Sequence, residues 1–382
     1  MMERRAALPW ETLMETSHFR LRRSGRFLVA ELIGPHRVLS TSVCQGGQVE
    51  HVRFLLNHQS CEATAHDERH RVITEHGLEA YHDRVCGEVG LPAGETASMG
   101  TAANMNYAAV VTRTDESLTV TAVVTAGVEG NAMCAGDPAG WRETESGIHK
   151  VVYEGTINTF LLVNTPLSVA ALARAVVTMT EGKSAALQRL VVSSRESVDL
   201  ATGTGTDQYC IAAPMAEGRM LHWASPHFKL GELIGVAVRD ATLEALRWQN
   251  GLETSYTRGA FYALGRYGLK EATFFEDIAA DLEGADLALL RNNGKAALFE
   301  PLVGAAAHAL AAVLDRVRQG TLPASVSTDA VVQQAATLAA SLAAQLDRWP
   351  EFRLRLHPYA HAGPRRLVLA AIALGWREKW RE

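Results

Sequence analysis

The sequence has no apolar run long enough to cross a membrane. Its longest candidate, residues 367–376, falls far short of the roughly 18 residues a span needs. It has no surplus of basic charge: 37 Lys and Arg stand against 42 Asp and Glu, a formal net charge of −5. That excludes general electrostatic attraction to nucleic acid or anionic lipid, so neither is an expected partner. It has no paired cysteines either. The five present, Cys44, Cys61, Cys86, Cys134 and Cys210, are widely spaced and form no CxxC. Reduced thiols fit this pattern better than a disulfide framework, and the knuckles of a four-cysteine zinc site are missing. The first residues carry basic groups without an apolar stretch behind them, so no secretory signal is expected and the expected compartment is the cytoplasm. No GxSxG elbow suggests a serine hydrolase.

What is present is globular composition, 47% apolar and 21% charged, over 382 residues. The chain is written in two styles. Residues 26–33 and 36–43 read as strands at hairpin distance, followed by the Gly46-Gly47 break, which suits close backbone approach. Residues 66–89 read as a helix. Two β-branched runs around Asp115-Glu116 predict a hairpin over 105–124, and 155–164 and 207–214 predict further strands. Pro166 and Ser168 open a long helix with Leu172, Val176, Met179, Lys183, Leu187 and Leu190 at helical spacing. Residues 231–248 read as another helix. Beyond 252 helical segments alternate with breakers, among them Asn292-Asn293-Gly294, and 301–346 holds 14 alanines, which favour helix and carry no chemistry. The expected fold is α+β: a mainly antiparallel sheet core covered by helices in residues 1–251, then an all-helical module of about six helices in 252–382. That module packs on the core or on a second copy of the chain, so a homo-oligomer is a candidate assembly.

Four glycine-rich polar segments lie at predicted strand ends: 99–108, 125–139, 155–160 and 201–208. Each alone reads as a tight turn; four in one domain predict a shared polar pocket. ATGTGTD at 201–207 is not a dinucleotide fingerprint, because Gln208 stands where the last glycine belongs, though spaced glycine amides can form an anion nest. GKS at 182–184 is no phosphate loop, since position 177 is Val and the tripeptide falls inside a helix. Glu181 and Lys183 are two apart and so point to different sides of that helix. Six of the 14 histidines crowd between His51 and His82. His66 and His70 stand at i and i+4, a spacing able to hold a metal but read more simply as a surface pair. Cys61 and His58 are three apart, a pairing that needs spatial proof.

Taken in order, these segments resemble the adenosylcobinamide amidohydrolase family over residues 25–240. The likeness is carried by Gly46-Gly47, Asn57-His58-Gln59, the 125–139 segment, GTINTFLLVN at 155–164, the Leu167-Ser168 helix start, TEGKSAALQ at 180–188 and ATGTGTDQ at 201–208. Two departures are visible: Gly182 stands where an alanine-like residue is expected, and the helical tail lies outside the pattern. The resemblance implies a corrinoid-salvage enzyme that cleaves the amide between the corrin ring and the aminopropanol arm, giving adenosylcobyric acid. No cofactor and no metal are implied. Such a reaction needs a base, oxyanion donors and an acid for the leaving amine. Asp207, Glu181 and Asp137 are the candidate bases; Lys183, Asn131 and Asn158, with amides near Gly203–Gly205, are candidate donors. Thr156, Thr204 and Thr206 are weaker candidate nucleophiles. Asn57, Asn104, Asn106, Asn131, Thr156, Asn158, Thr204 and Thr206 are the expected substrate-binding set, since a corrin is fringed with amides. Direct attack by water and a covalent intermediate both stay open. So do two other readings: a non-catalytic corrinoid-binding protein, and a metal-dependent hydrolase of another amide built on His66 and His70.

Overall fold

The computed structural model describes residues 9–60, 66–140, 142–144, 147–149 and 155–380, and of 66–70, 142–144 and 147–149 the backbone alone. The chain divides into two compact units, Met1–Gly251 and Leu252–Glu382. In the first, the strands in chain order are β1 (Glu11–Glu15), β2 (Phe19–Ser24), β3 (Phe27–Leu32), β4 (His36–Ser40), β5 (Gly47–Val49), β6 (Phe54–Gln59) and β7 (Thr96–Thr101). They continue as β8 (Ala109–Asp115), β9 (Leu118–Ala126), β10 (Ala132–Met133), β11 (Arg142–Thr144), β12 (Gly147–His149), β13 (Ile157–Val163), β14 (Gly203–Thr204) and β15 (Gln208–Pro214). Its helices are α1 (His66–Glu88), α2 (Val169–Arg189) and α3 (Lys229–Asn250).

Eleven of these form two facing sheets, β1-β2-β3-β6-β7 and β5-β4-β15-β13-β9-β8, and β10–β14 and β11–β12 pair as two-stranded ribbons. Pairing is antiparallel except at β6–β7 and β13–β15. Each parallel pair needs a crossover; α1 makes the first and α2 lies within the second. Between the sheets, Leu21, Leu28, Leu55 and Met99 meet Val123, Phe160, Leu162 and Cys210. On the outer face of the five-stranded sheet, Val29, Phe54 and Leu56 pack on Val85 and Cys86 of α1. On the outer face of the other sheet, α3 packs on β8 and β9 with α2 beside it. The unit is thus four layers deep, helix–sheet–sheet–helix. β13 is covered on both faces, which is why INTFLLV is buried throughout and shows no apolar–polar alternation.

The α+β class with mainly antiparallel pairing is therefore what the chain adopts, but one hairpin is not. β3 and β4 belong to different sheets. Gly34, in the left-handed region at φ 79°, with Pro35 carries the chain from one layer to the other instead of folding it back. Strands β1 and β2, which pair with each other and then with β3, went unread in the polar start of the sequence. The 109–126 hairpin forms with Glu116 at φ 50° in its two-residue turn. Ser168 caps α2, its hydroxyl accepting the Ala171 amide at 3.1 Å.

Gly182 lies inside α2, as its helical reading requires, and the departure from an alanine-like residue has a cause. A Cβ there would stand 2.8 Å from the Gly235 carbonyl oxygen of α3, so the two helices touch backbone to backbone. Gly182→Ala should gain up to about 1 kcal/mol of helix propensity but lose about 1–3 kcal/mol to overpacking against an unyielding carbonyl. The expected net is a loss near 1 kcal/mol in urea unfolding; a stabilised variant would show that the helices part freely.

The second unit holds helices Gly284–Leu298, Pro301–Arg318, Ala324–Ala343, Trp349–Leu356 and Pro364–Glu378, preceded by the short Thr254–Thr257, Ala260–Leu264 and Phe274–Asp277. Its core is rich in alanine and leucine with Phe274, Phe352 and Trp376 fully buried. Asn292-Asn293-Gly294 does not break the chain. It runs within Gly284–Leu298, where Gly294 lets Phe275 pack close. Among the described residues no single helix is long and apolar enough to cross a membrane. Cys44, Cys86 and Cys210 carry free thiols, and Cys61 lies outside the described residues.

Candidate active site

Strand alternation decides which layer each polar side chain enters. Along β6, Leu55 faces the opposing sheet whereas Phe54 and Leu56 face α1. Asn57 therefore enters the inter-sheet space and His58 turns towards α1. The Asn57 amide donates to Thr125 Oγ1 on β9 at 2.8 Å. From β13, the Asn158 amide donates to Asn57 Oδ1 at 2.9 Å and to the Gly100 carbonyl at 3.1 Å. The Thr156 hydroxyl donates to the Thr206 carbonyl at 2.6 Å and lies 3.3 Å from Asn158 Oδ1. Asn57, Asn158, Thr125 and Thr156 are all buried, so these bonds replace water where none is at hand. The network ties both sheets together at one end of the sandwich.

A second cluster lies across β13 and β15, on the α2 side. Lys183 on α2 pairs with Asp207 just before β15; their side chains are 14% and 20% exposed. Asp207 Oδ1 also accepts from the Ile157 amide at 3.1 Å and the Thr204 hydroxyl at 2.5 Å. Oδ2 takes the Lys183 ammonium and the Thr204 amide, the latter at 3.1 Å. A carboxylate offers about four acceptor positions, and here four donors take them. Asp207 is thus an anchored anion that holds the starts of β13, β14 and β15 to α2. The nest expected around Gly203 and Gly205 is filled by the protein's own carboxylate. A Cβ at Gly203 would collide with the Asp207–Lys183 pair, and one at Gly205 would stand 2.9 Å from Asn131 Oδ1. Asn131 closes the cluster, its amide donating to the Gly155 carbonyl at 2.7 Å and to Thr206 Oγ1 at 3.1 Å.

The structure thus brings Asn57, Asn131, Thr156, Asn158, Lys183, Thr204, Thr206 and Asp207 together at adjoining strand ends. It leaves four expected residues elsewhere. Glu181 is exposed, because two residues along a helix turn it away from Lys183. Asp137 serves its own turn, accepting the Cys134 amide at 2.7 Å and the Ser194 hydroxyl at 2.6 Å. Burial opposes its ionisation, but the hydrogen bonds from Ser194, Ser197 and Cys134 outweigh it and hold the carboxyl below its ordinary value. Asn104 caps a short 3-10 turn, accepting the Asn106 amide at 2.9 Å, and Asn106 is exposed. The side chains of His66 and His70, and Cys61, lie outside the described residues. Among the described residues no group of three or more metal-ligating side chains occurs.

Sequence reading missed a pocket of about 140 Å³ between α1 and the end of the sheets. Val43, Cys44, His58, Ser60, Tyr81, His82, Ser98, Gly100 and Gln208 contribute to its wall. Gly100 joins it to the amide network, its carbonyl being bonded to Asn158. His58 Nδ1 lies 2.9 Å from the Met99 carbonyl, which only accepts, so that nitrogen carries the proton and Nε2 accepts from the Tyr81 hydroxyl at 2.9 Å. The crowding of histidines between 51 and 82 was the one signal of this pocket in the sequence.

An amide-rich end to a four-layer sandwich, beside a small pocket, is a site suited to a ligand bearing amides. Residues 11–254 match the sequence model of the family described as adenosylcobinamide amidohydrolase, and the chain belongs to that family. The family name denotes an amide hydrolase and sets the class of reaction. An uncharacterized protein of Methanocaldococcus jannaschii is 33% identical over 188 residues, covering 47% of this chain and 73% of that protein. Among solved structures, the PH0078 protein of Pyrococcus horikoshii is similar at 11% identity with a TM-score of 0.30, over 63% of this chain and 83% of that one. The L-aminopeptidase D-Ala-esterase/amidase of Ochrobactrum anthropi is similar at 12% identity with a TM-score of 0.28, over the same shares. Both scores are too low to bear on the reaction.

Proposed function

We propose that the chain hydrolyses the amide joining the aminopropanol arm to the corrin ring of adenosylcobinamide, releasing adenosylcobyric acid and 1-aminopropan-2-ol. The observation that carries this reading is the extent of the family match, 11–254, which takes in nearly all of the unit bearing the amide network and its pocket. A pocket of about 140 Å³ has room for a short amine arm and not for a macrocycle. The ring then stays outside, against the polar strand ends. Thr204 and Thr206 stand at those strand ends, and Asn158 fixes the Gly100 carbonyl in the pocket wall. A cytoplasmic place of action goes with this reading, supported by the free thiols of Cys44, Cys86 and Cys210.

The test is incubation with adenosylcobinamide, with and without a chelator, followed by chromatography. Ring acid and amine should appear in equal amounts, unchanged by the chelator. Corrinoid bound but recovered intact would point instead to a carrier. Turnover abolished by the chelator would favour the metal-dependent alternative.

A further inference from the structure

Cys44, Ser60 and Ser98 line the pocket beside α1, with Cys86 buried behind it, and their surroundings separate them: the Ser60 hydroxyl donates to the Thr101 carbonyl at 3.2 Å. Cys44 lines it, but burial, and then the Glu79 and Asp83 carboxylates, push its thiol upward, away from the reactive thiolate. Cys86, one turn beyond His82 on α1, is fully buried and its thiol is pushed up to about 11 by burial. Ser98 is different. It sits on β7, whose neighbours Ala97 and Met99 face the inter-sheet core, so alternation sends its hydroxyl to the α1 side and into the pocket. There Ser98 Oγ lies 2.8 Å from His82 Nδ1. His82 Nε2 lies 3.1 Å from the Ala93 carbonyl. A carbonyl only accepts, so Nε2 carries the ring proton and Nδ1 accepts from the Ser98 hydroxyl. The backbone is also held: the Ser98 amide donates to Ser42 Oγ at 2.8 Å, and Ser42 donates to the Cys44 carbonyl at 2.5 Å. A hydroxyl bonded to an imidazole, with the imidazole oriented by a third group, is the arrangement that activates a serine.

We propose that Ser98 is the nucleophile of the amide hydrolysis and His82 its general base, which rests on the reaction proposed above. Ser98 Oγ attacks the amide carbonyl carbon and its proton passes to His82 Nδ1. The C–N bond breaks as that proton moves to the leaving nitrogen, releasing aminopropanol and leaving an ester on Ser98. Water adds to the ester carbon and gives a proton to His82. The C–O bond to Ser98 breaks, Ser98 takes the proton back, and the ring acid leaves. Water is the only co-reactant. Charge developing on the carbonyl oxygen calls for a donor, and Gln208 in the same pocket wall carries a side-chain amide.

Two measurements on the full chain test this. Ser98→Ala should lose at least about a thousandfold in kcat with corrinoid binding and melting temperature retained. Separately, a small alkyl fluorophosphonate should label the wild-type peptide carrying Ser98, and His82→Gln should abolish the label. Turnover of Ser98→Ala within tenfold of wild type, or labelling absent or elsewhere, would overturn the assignment. If Ser98→Ala fails to fold, labelling of the wild type decides. If the wild type leaves adenosylcobinamide intact, the proposed reaction falls while labelling still decides on Ser98.

Discussion

Asp207→Asn should lower the stability of the protein by about 2–3 kcal/mol, read as a fall of roughly 5–10 °C in melting temperature. The substitution leaves the Lys183 ammonium without its partner in a site where both side chains are largely covered. It also places an amide nitrogen against donors that expect an oxygen: the Ile157 and Thr204 amides and the Thr204 hydroxyl. A fully buried pair broken on one side costs about 3–5 kcal/mol; the residual exposure here reduces that. Removing the charge on both sides, as in Lys183→Met with Asp207→Asn, should recover part of the loss, because no unpaired ammonium remains. The outcome that would reverse this assignment is a variant with unchanged melting temperature and turnover down a hundredfold or more. Asp207 would then be a base in the reaction and not an anchor.

Asn158→Ala should cost about 3–5 kcal/mol, the larger of the two losses. Asn158 is wholly inaccessible, and its amide is the donor to Asn57 Oδ1 and to the Gly100 carbonyl. Truncation takes that donor from both acceptors inside the sandwich, at about 1–3 kcal/mol each. Asn106→Ala is the natural control, because Asn106 is exposed and should change stability by less than about 0.5 kcal/mol. Urea unfolding of both variants settles the matter. Equal midpoints would mean that the network carries no weight.

These outcomes depend on residues that were legible in the sequence to different degrees. Lys183 and Glu181 could be separated by helical phase alone, and Lys183 is the one that meets Asp207. Asn158 and Asn57 were readable as polar residues in strands, although not that they would bond to each other, since they are 101 residues apart. Asn104 and Asp137 looked like site residues for the reason that misleads most: Asn and Asp at strand ends also serve their own turns, and here they do. Gly34-Pro35 signalled a turn but not whether the chain would return to the same sheet. Asn292-Asn293-Gly294 signalled a break that tertiary packing overrode. His82 was visible only as one of a crowd of histidines and Ser98 not at all, because a serine in a strand and a histidine in a helix are ordinary until the fold brings them together.

The strand FLLNHQ has a consequence for how such a protein changes over generations. Its successive residues look into two separate interiors, one shared by the sheets and one shared with α1. Substitution at 55 or 57 is felt by the joint between the sheets, and at 58 by the wall of the pocket. Durability and ligand preference are therefore written on alternate letters of the same short word, coupled only where Asn158 bonds both Asn57 and the Gly100 of the pocket wall. Loss or gain of a single letter would exchange the two meanings at once, which makes this strand tolerant of substitution and intolerant of insertion.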